Sequence, residues 1–141
     1  MKIMNNNLKS KSFKFIYWIM LFLLAADTLD TIYRFIGIGY LGEGTTFPGV
    51  DSVIKPDSID MVIFLITQIG IIYGIYLLYN LKKAGGYLFL ASNILFLIYA
   101  SILGPIAEIG IFNILTPIIF FFIFYIILTI FVPWFYSEKF K

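Results

Sequence analysis

The chain has 141 residues, of which 61% are hydrophobic and 13% charged, with a formal net charge of +2. Soluble domains are about 25% charged, so this composition and a mean hydropathy of +0.97 exclude an ordinary soluble domain, and the small net charge gives no basis for nucleic-acid binding. Cysteine and histidine are both absent, which removes disulfides, thiol redox chemistry, histidine-ligated haem and thiolate or imidazole zinc sites, so no cofactor or metal centre is expected.

Four apolar runs predict an all-α integral membrane protein, a single-domain bundle of four transmembrane helices, with spans near 13–35, 59–81, 87–103 and 106–132. The first span is the unusual one. Between Lys14 and Asp27 lie only the uncharged residues 15–26, which as a helix cover about 18 Å of a hydrocarbon core roughly 30 Å thick. To cross, the helix must continue through Asp27, Asp30, Thr31 and Arg34. Ionisable side chains cost about 2.5–3.5 kcal/mol each near the membrane centre and usually face a protein interior or a wet cavity. On a helix of 3.6 residues per turn these four side chains fall within an arc of about 100°, so they form one polar stripe predicted to face inward. Asp30 and Arg34 have the spacing of an ion pair; Asp27, one turn deeper, is then left without a local counter-charge.

The segment from Gly37 to Ser58 carries glycines at 37, 39, 42, 44 and 49 and prolines at 48 and 56. It is longer than a plain connection requires and reads either as a lid or re-entrant cap or as a floppy acidic loop. The second span supplies Thr67 and Gln68, with Gln68 near mid-membrane, followed by Gly70 and Gly74 at the small-xxx-small spacing that lets helices approach closely. In the third span, Ser92, Asn93 and Ser101 are weaker polar signals, since such side chains often bond their own backbone.

Lys82–Gly86 and Gly104-Pro105 are tight connections, and Pro105 suits the first turn of the last helix. Within that helix Pro117 cannot donate to the carbonyl of Asn113, which predicts a kink and a free carbonyl beside an amide side chain. Glu108 falls where a helix start favours a carboxylate. The run Phe120 to Phe124 reads as packing or lipid contact.

Lysines at 2, 9, 11 and 14, at 82 and 83, and at 139 and 141 mark one side of the membrane, whereas Glu43, Asp51, Asp57, Asp60 and Glu108 mark the other against Lys55 alone. The positive-inside rule therefore predicts a multi-pass cell-membrane protein with both termini cytoplasmic and the long first loop extracytoplasmic.

These features predict an outward-facing intramembrane site formed by Asp27, Asp30, Arg34, Gln68, Asn113 and Glu108, which binds or transports a small cation or a lipophilic ligand. The alternative is an accessory subunit whose charged stripe meets another chain, as a homo-oligomer or within a larger membrane complex. An aspartyl enzyme is the weaker reading. Asp27 and Asp30 would have to form a dyad from one helix, and no Asn-rich or Gly-Asn-Asp-Arg-like segment accompanies them.

Overall fold

The computed structural model describes residues 2–46, 53–107 and 111–141. The described chain is helical, with no strand and with four helices long and apolar enough to cross a membrane. Helix α1 (Lys2–Ile32) runs on into wider π-helical turns at Tyr33–Tyr40; α2 spans Ser58–Tyr79 and α3 Ala84–Ile102. Helix α4 (Ile111–Ile126) continues through a second π-helical segment, Ile127–Phe131, into the short α5 (Val132–Phe135).

The outer surface of this bundle is apolar. Phe22 is 71% exposed, Ile69 69% and Phe120 69%, a pattern that suits lipid and would be a severe aggregation liability in water. The architecture is that of a multi-pass membrane protein. Its core is a column of Met20, Leu21 and Leu24 from α1, Ile71 and Leu78 from α2, Phe89 from α3, and Tyr125 and Leu128 from α4 and its continuation.

Glycines set the closest approaches. A Cβ on Gly74 would lie 2.9 Å from the Gly85 carbonyl oxygen and from the Phe89 nitrogen, and one on Gly70 would collide with the Ser92 hydroxyl. The partner of the Gly70/Gly74 face is therefore α3 of the same chain. Gly86, on the far side of α3, would drive a Cβ into the Thr129 carbonyl, so the α2–α3 pair docks onto the end of α4 through backbone contact as well.

The chain termini lie at the same end as the α2–α3 turn. Tyr17 Oη donates to the Tyr79 carbonyl at 2.6 Å, the ring of Phe13 packs on those of Tyr136 and Phe140, and the Lys141 N–H donates to the Leu81 carbonyl at 2.7 Å. Leu81 holds a left-handed backbone (φ 57°), a conformation usually left to glycine at a helix end.

The opposite end is built by loops. Asp57 caps α2: its carboxylate accepts from the Ile59 and Asp60 N–H groups at 2.8 Å, and Asp60 accepts from the Asp57 N–H at 2.8 Å, a reciprocal capping box. The first loop folds back on itself where Thr45 and Ile54 exchange backbone bonds of 2.9 and 2.7 Å, and Gly44 turns the chain at φ 97°.

One boundary expected from sequence moves. Pro105 does not open the last helix, because residues 103–107 form turns instead. The reason lies in the end of α3: the N–H groups of Leu103 and Gly104 donate to the Tyr99 carbonyl, and that of Ile106 to the Ala100 carbonyl, satisfying acceptors the helix leaves orphaned. Among the described residues the last helical stretch runs from Ile111 to Phe135, and Leu115–Phe135 within it is long and apolar enough to cross a membrane. The first helical stretch continues through its π-helical turns as far as Tyr40.

Candidate functional site

At the loop end a cleft of about 600 Å3 opens between α1, α3 and α4 beneath the first loop. Helix α1 brings Asp27, Asp30 and Arg34 to it, α3 brings Phe96 and Ala100, α4 brings Phe121 and Tyr125, and the loop closes over with Thr45, Ile54 and Pro56. Below it lies a second, much smaller chamber of about 10 Å3, bounded by Asp27, Thr28, Thr31, Gln68, Asn93 and Tyr125 together with Ile71 and Phe89. Asp27, Thr31 and Tyr125 belong to both and form the partition between them.

Helix geometry fixes which part of the polar stripe goes where. The buried face of α1 is set by Leu21 (7% exposed), Leu24 (0%) and Thr28 (6%), and the stripe is centred about 100° around the helix from it. Asp27 and Thr31 consequently sit at the edge of the interior. Asp30 and Arg34 do not face inward: their side chains are 56% and 68% exposed, and they pair at the mouth of the cleft with Arg34 Nε donating to Asp30 Oδ2 at 2.7 Å.

Asp27 has a partner that local sequence could not name. Tyr125 Oη donates to Asp27 Oδ2 at 2.5 Å, joining α1 to α4 across 98 residues of sequence. The bond satisfies the phenol, which is 8% exposed, and leaves the carboxylate's other oxygen and its charge unmatched by any cation among the described ion pairs. Two carboxylates and one guanidinium in the cleft sum to a single negative charge.

Gln68 faces the lower chamber rather than the cleft. It is 4% exposed, and its Oε1 has no hydrogen-bond partner among the described residues. Thr28 Oγ1 donates to the Leu24 carbonyl at 2.7 Å and Asn93 Nδ2 to the Phe89 carbonyl at 2.9 Å, so both direct their protons into their own helices. Pro117 is exposed and α4 continues as helix through it. Glu108 lies outside the described residues, as does the side chain of Asn113, whose backbone is part of α4.

Tyr125 is the residue that sequence reasoning passed over. A signal was present: it is the hydroxyl-bearing ring in the aromatic run of 120–125, and a phenol in an apolar helix needs an acceptor. A second such pair went unnoticed at the start of α2, where Tyr99 Oη donates to Asp60 Oδ1 at 2.8 Å and fixes α3 to the capping box. Beneath the loop, Phe35 stacks on Phe64 with centroids 3.9 Å apart, and Phe96 meets both rings edge-on, walling the cleft on its α2 side.

No protein-family model, curated protein or solved structure matches this chain in the comparisons of sequence and fold.

Proposed function

We propose that the cleft binds, and in the membrane conveys, a lipophilic organic cation. One observation carries this reading: a cavity of about 600 Å3 whose walls are largely aromatic and aliphatic holds one uncompensated carboxylate at its floor. Drug-sized ligands occupy clefts of roughly 300–1,000 Å3 lined mainly by apolar side chains with a few placed polar groups. Rings such as Phe35, Phe96, Phe121 and Tyr125 suit the hydrocarbon of a cationic amphiphile and offer cation–π faces worth about 0.5–2 kcal/mol, while Asp27 supplies the charge. The Asp30–Arg34 pair at the mouth lets polar groups pass without adding net charge. The lysine distribution orients this mouth away from the cytoplasm.

Tetraphenylphosphonium binding to the protein in lipid nanodiscs, in potassium buffer, tests the reading. Saturable binding beyond that of empty discs is expected, weakened at least tenfold by Asp27→Asn. Equal uptake by wild type, variant and empty discs would overturn it.

A second reading, that of an accessory or self-associating subunit, is favoured by α4. Only 17% of its most apolar stretch is buried, against 28%, 33% and 28% for the other three spans, which leaves a broad face for lipid or for another chain. Crosslinking in native membranes that yields a constant stoichiometric partner along α4 would support this reading, and a uniformly monomeric product would remove it.

A further inference from the structure

The lower chamber poses a separate chemical question, because six of the eight residues around it carry side-chain oxygens, beside the apolar Ile71 and Phe89. Asp27 reaches it from α1, with one carboxylate oxygen engaged by Tyr125 and one not. Thr28 and Thr31 bring hydroxyls, and the Thr28 proton is already directed to the Leu24 carbonyl. Asn93 has committed Nδ2 to its own helix, which leaves its amide oxygen as an acceptor. Gln68 Oε1 is buried and unpartnered among the described residues. Three helices thus converge one carboxylate, two amide oxygens and two hydroxyls on a space of about 10 Å3, room for a single occupant of water size.

We infer that this chamber is a binding site for one alkali cation of sodium size. An unsatisfied buried carbonyl costs about 1–3 kcal/mol, and a hard monovalent cation satisfies it while neutralising the one carboxylate present. Hard cations take oxygen ligands of this kind. Divalent ions are disfavoured by charge: the described residues contain no group of three or more His, Cys, Asp or Glu side chains, and one carboxylate balances one positive charge. Potassium, which has about the radius of a water molecule, would also fit, and sodium is favoured because the smaller ion approaches a carboxylate oxygen more closely and is attracted more strongly. The inference concerns a cavity separate from the cleft and holds whether or not the cleft takes an organic cation. Since Asp27 stands in the wall between the two, a cation in the chamber and one in the cleft compete for the same carboxylate, which is the arrangement an exchanger requires.

The test is made with no organic cation present. Purified protein in detergent is melted in NaCl or KCl at equal ionic strength, and 22Na+ binding is followed by scintillation proximity. Sodium is expected to raise the melting temperature saturably where potassium does not. In Gln68→Leu, which trades an unpartnered amide for an apolar side chain of similar size, the baseline is expected to hold or rise while the sodium-dependent increment disappears. Equal shifts in the two salts, or a sodium increment retained in Gln68→Leu, would overturn the assignment. The wild-type 22Na+ measurement decides the matter without any substitution: saturable binding supports the site, and its absence means the chamber holds only water. Tetraphenylphosphonium binding in potassium buffer is a separate readout, so either assignment can fail alone.

Discussion

Tyr125 and Asp27 form the contact on which the site depends. The phenol is buried, the carboxylate partly so, and the bond between them ties the first helix to the fourth. Interhelical hydrogen bonds in membranes average about 0.6 kcal/mol with a maximum near 1.7, while bonds to charged groups run higher, about 1.5–3 kcal/mol. Tyr125→Phe is therefore expected to cost about 1–2 kcal/mol, read by reversible unfolding in mixed micelles. In an Asp27→Ala background the same substitution should cost less than about 0.5 kcal/mol, since the partner is gone. An equal loss in both backgrounds would mean that the hydroxyl acts elsewhere. Asp30 and Arg34 stand in contrast: their pair is exposed at the cleft mouth, and an ion pair of that kind contributes little to stability.

Among the elements, α2 and α3 are held by small residues, and the consequence is measurable. Gly86→Ala places a methyl against the Thr129 carbonyl and is expected to destabilise by about 1–3 kcal/mol through forced separation of α3 from α4. Gly37→Ala, where a Cβ would meet only the Tyr33 ring at 3.6 Å, is expected to be neutral or slightly stabilising. Thermal unfolding in detergent compares the two; similar effects would show that close packing at Gly86 carries no energetic weight.

The same elements show what local sequence can and cannot reveal. The number and type of helices follow from the apolar runs, because length and hydropathy are local quantities. The Asp30–Arg34 pair follows from spacing on one helix. The turns after α3 were not legible, because they depend on where that helix's last carbonyls find donors. Neither was the Asp27–Tyr125 bond, which depends on how two distant helices rotate against each other. All four residues of the stripe line the cleft, while the most buried face of α1 is centred on Leu24 and Thr28.

For the molecule as a whole, an apolar exterior surrounds two stacked cavities that meet at a single carboxylate. The terminal end is knit by aromatic rings and by the backbone of Lys141, and the other end is left to loops over the cleft. A photolabile aryl-azide quaternary ammonium compound, added to the outside of intact cells and mapped by peptide mass spectrometry, tests the central claim most directly. Adducts are predicted on Phe35, Phe96, Phe121 or Tyr125, suppressed by excess tetraphenylphosphonium. Adducts spread along the lipid-facing groove of Phe15, Trp18 and Phe22, undiminished by the competitor, would contradict it.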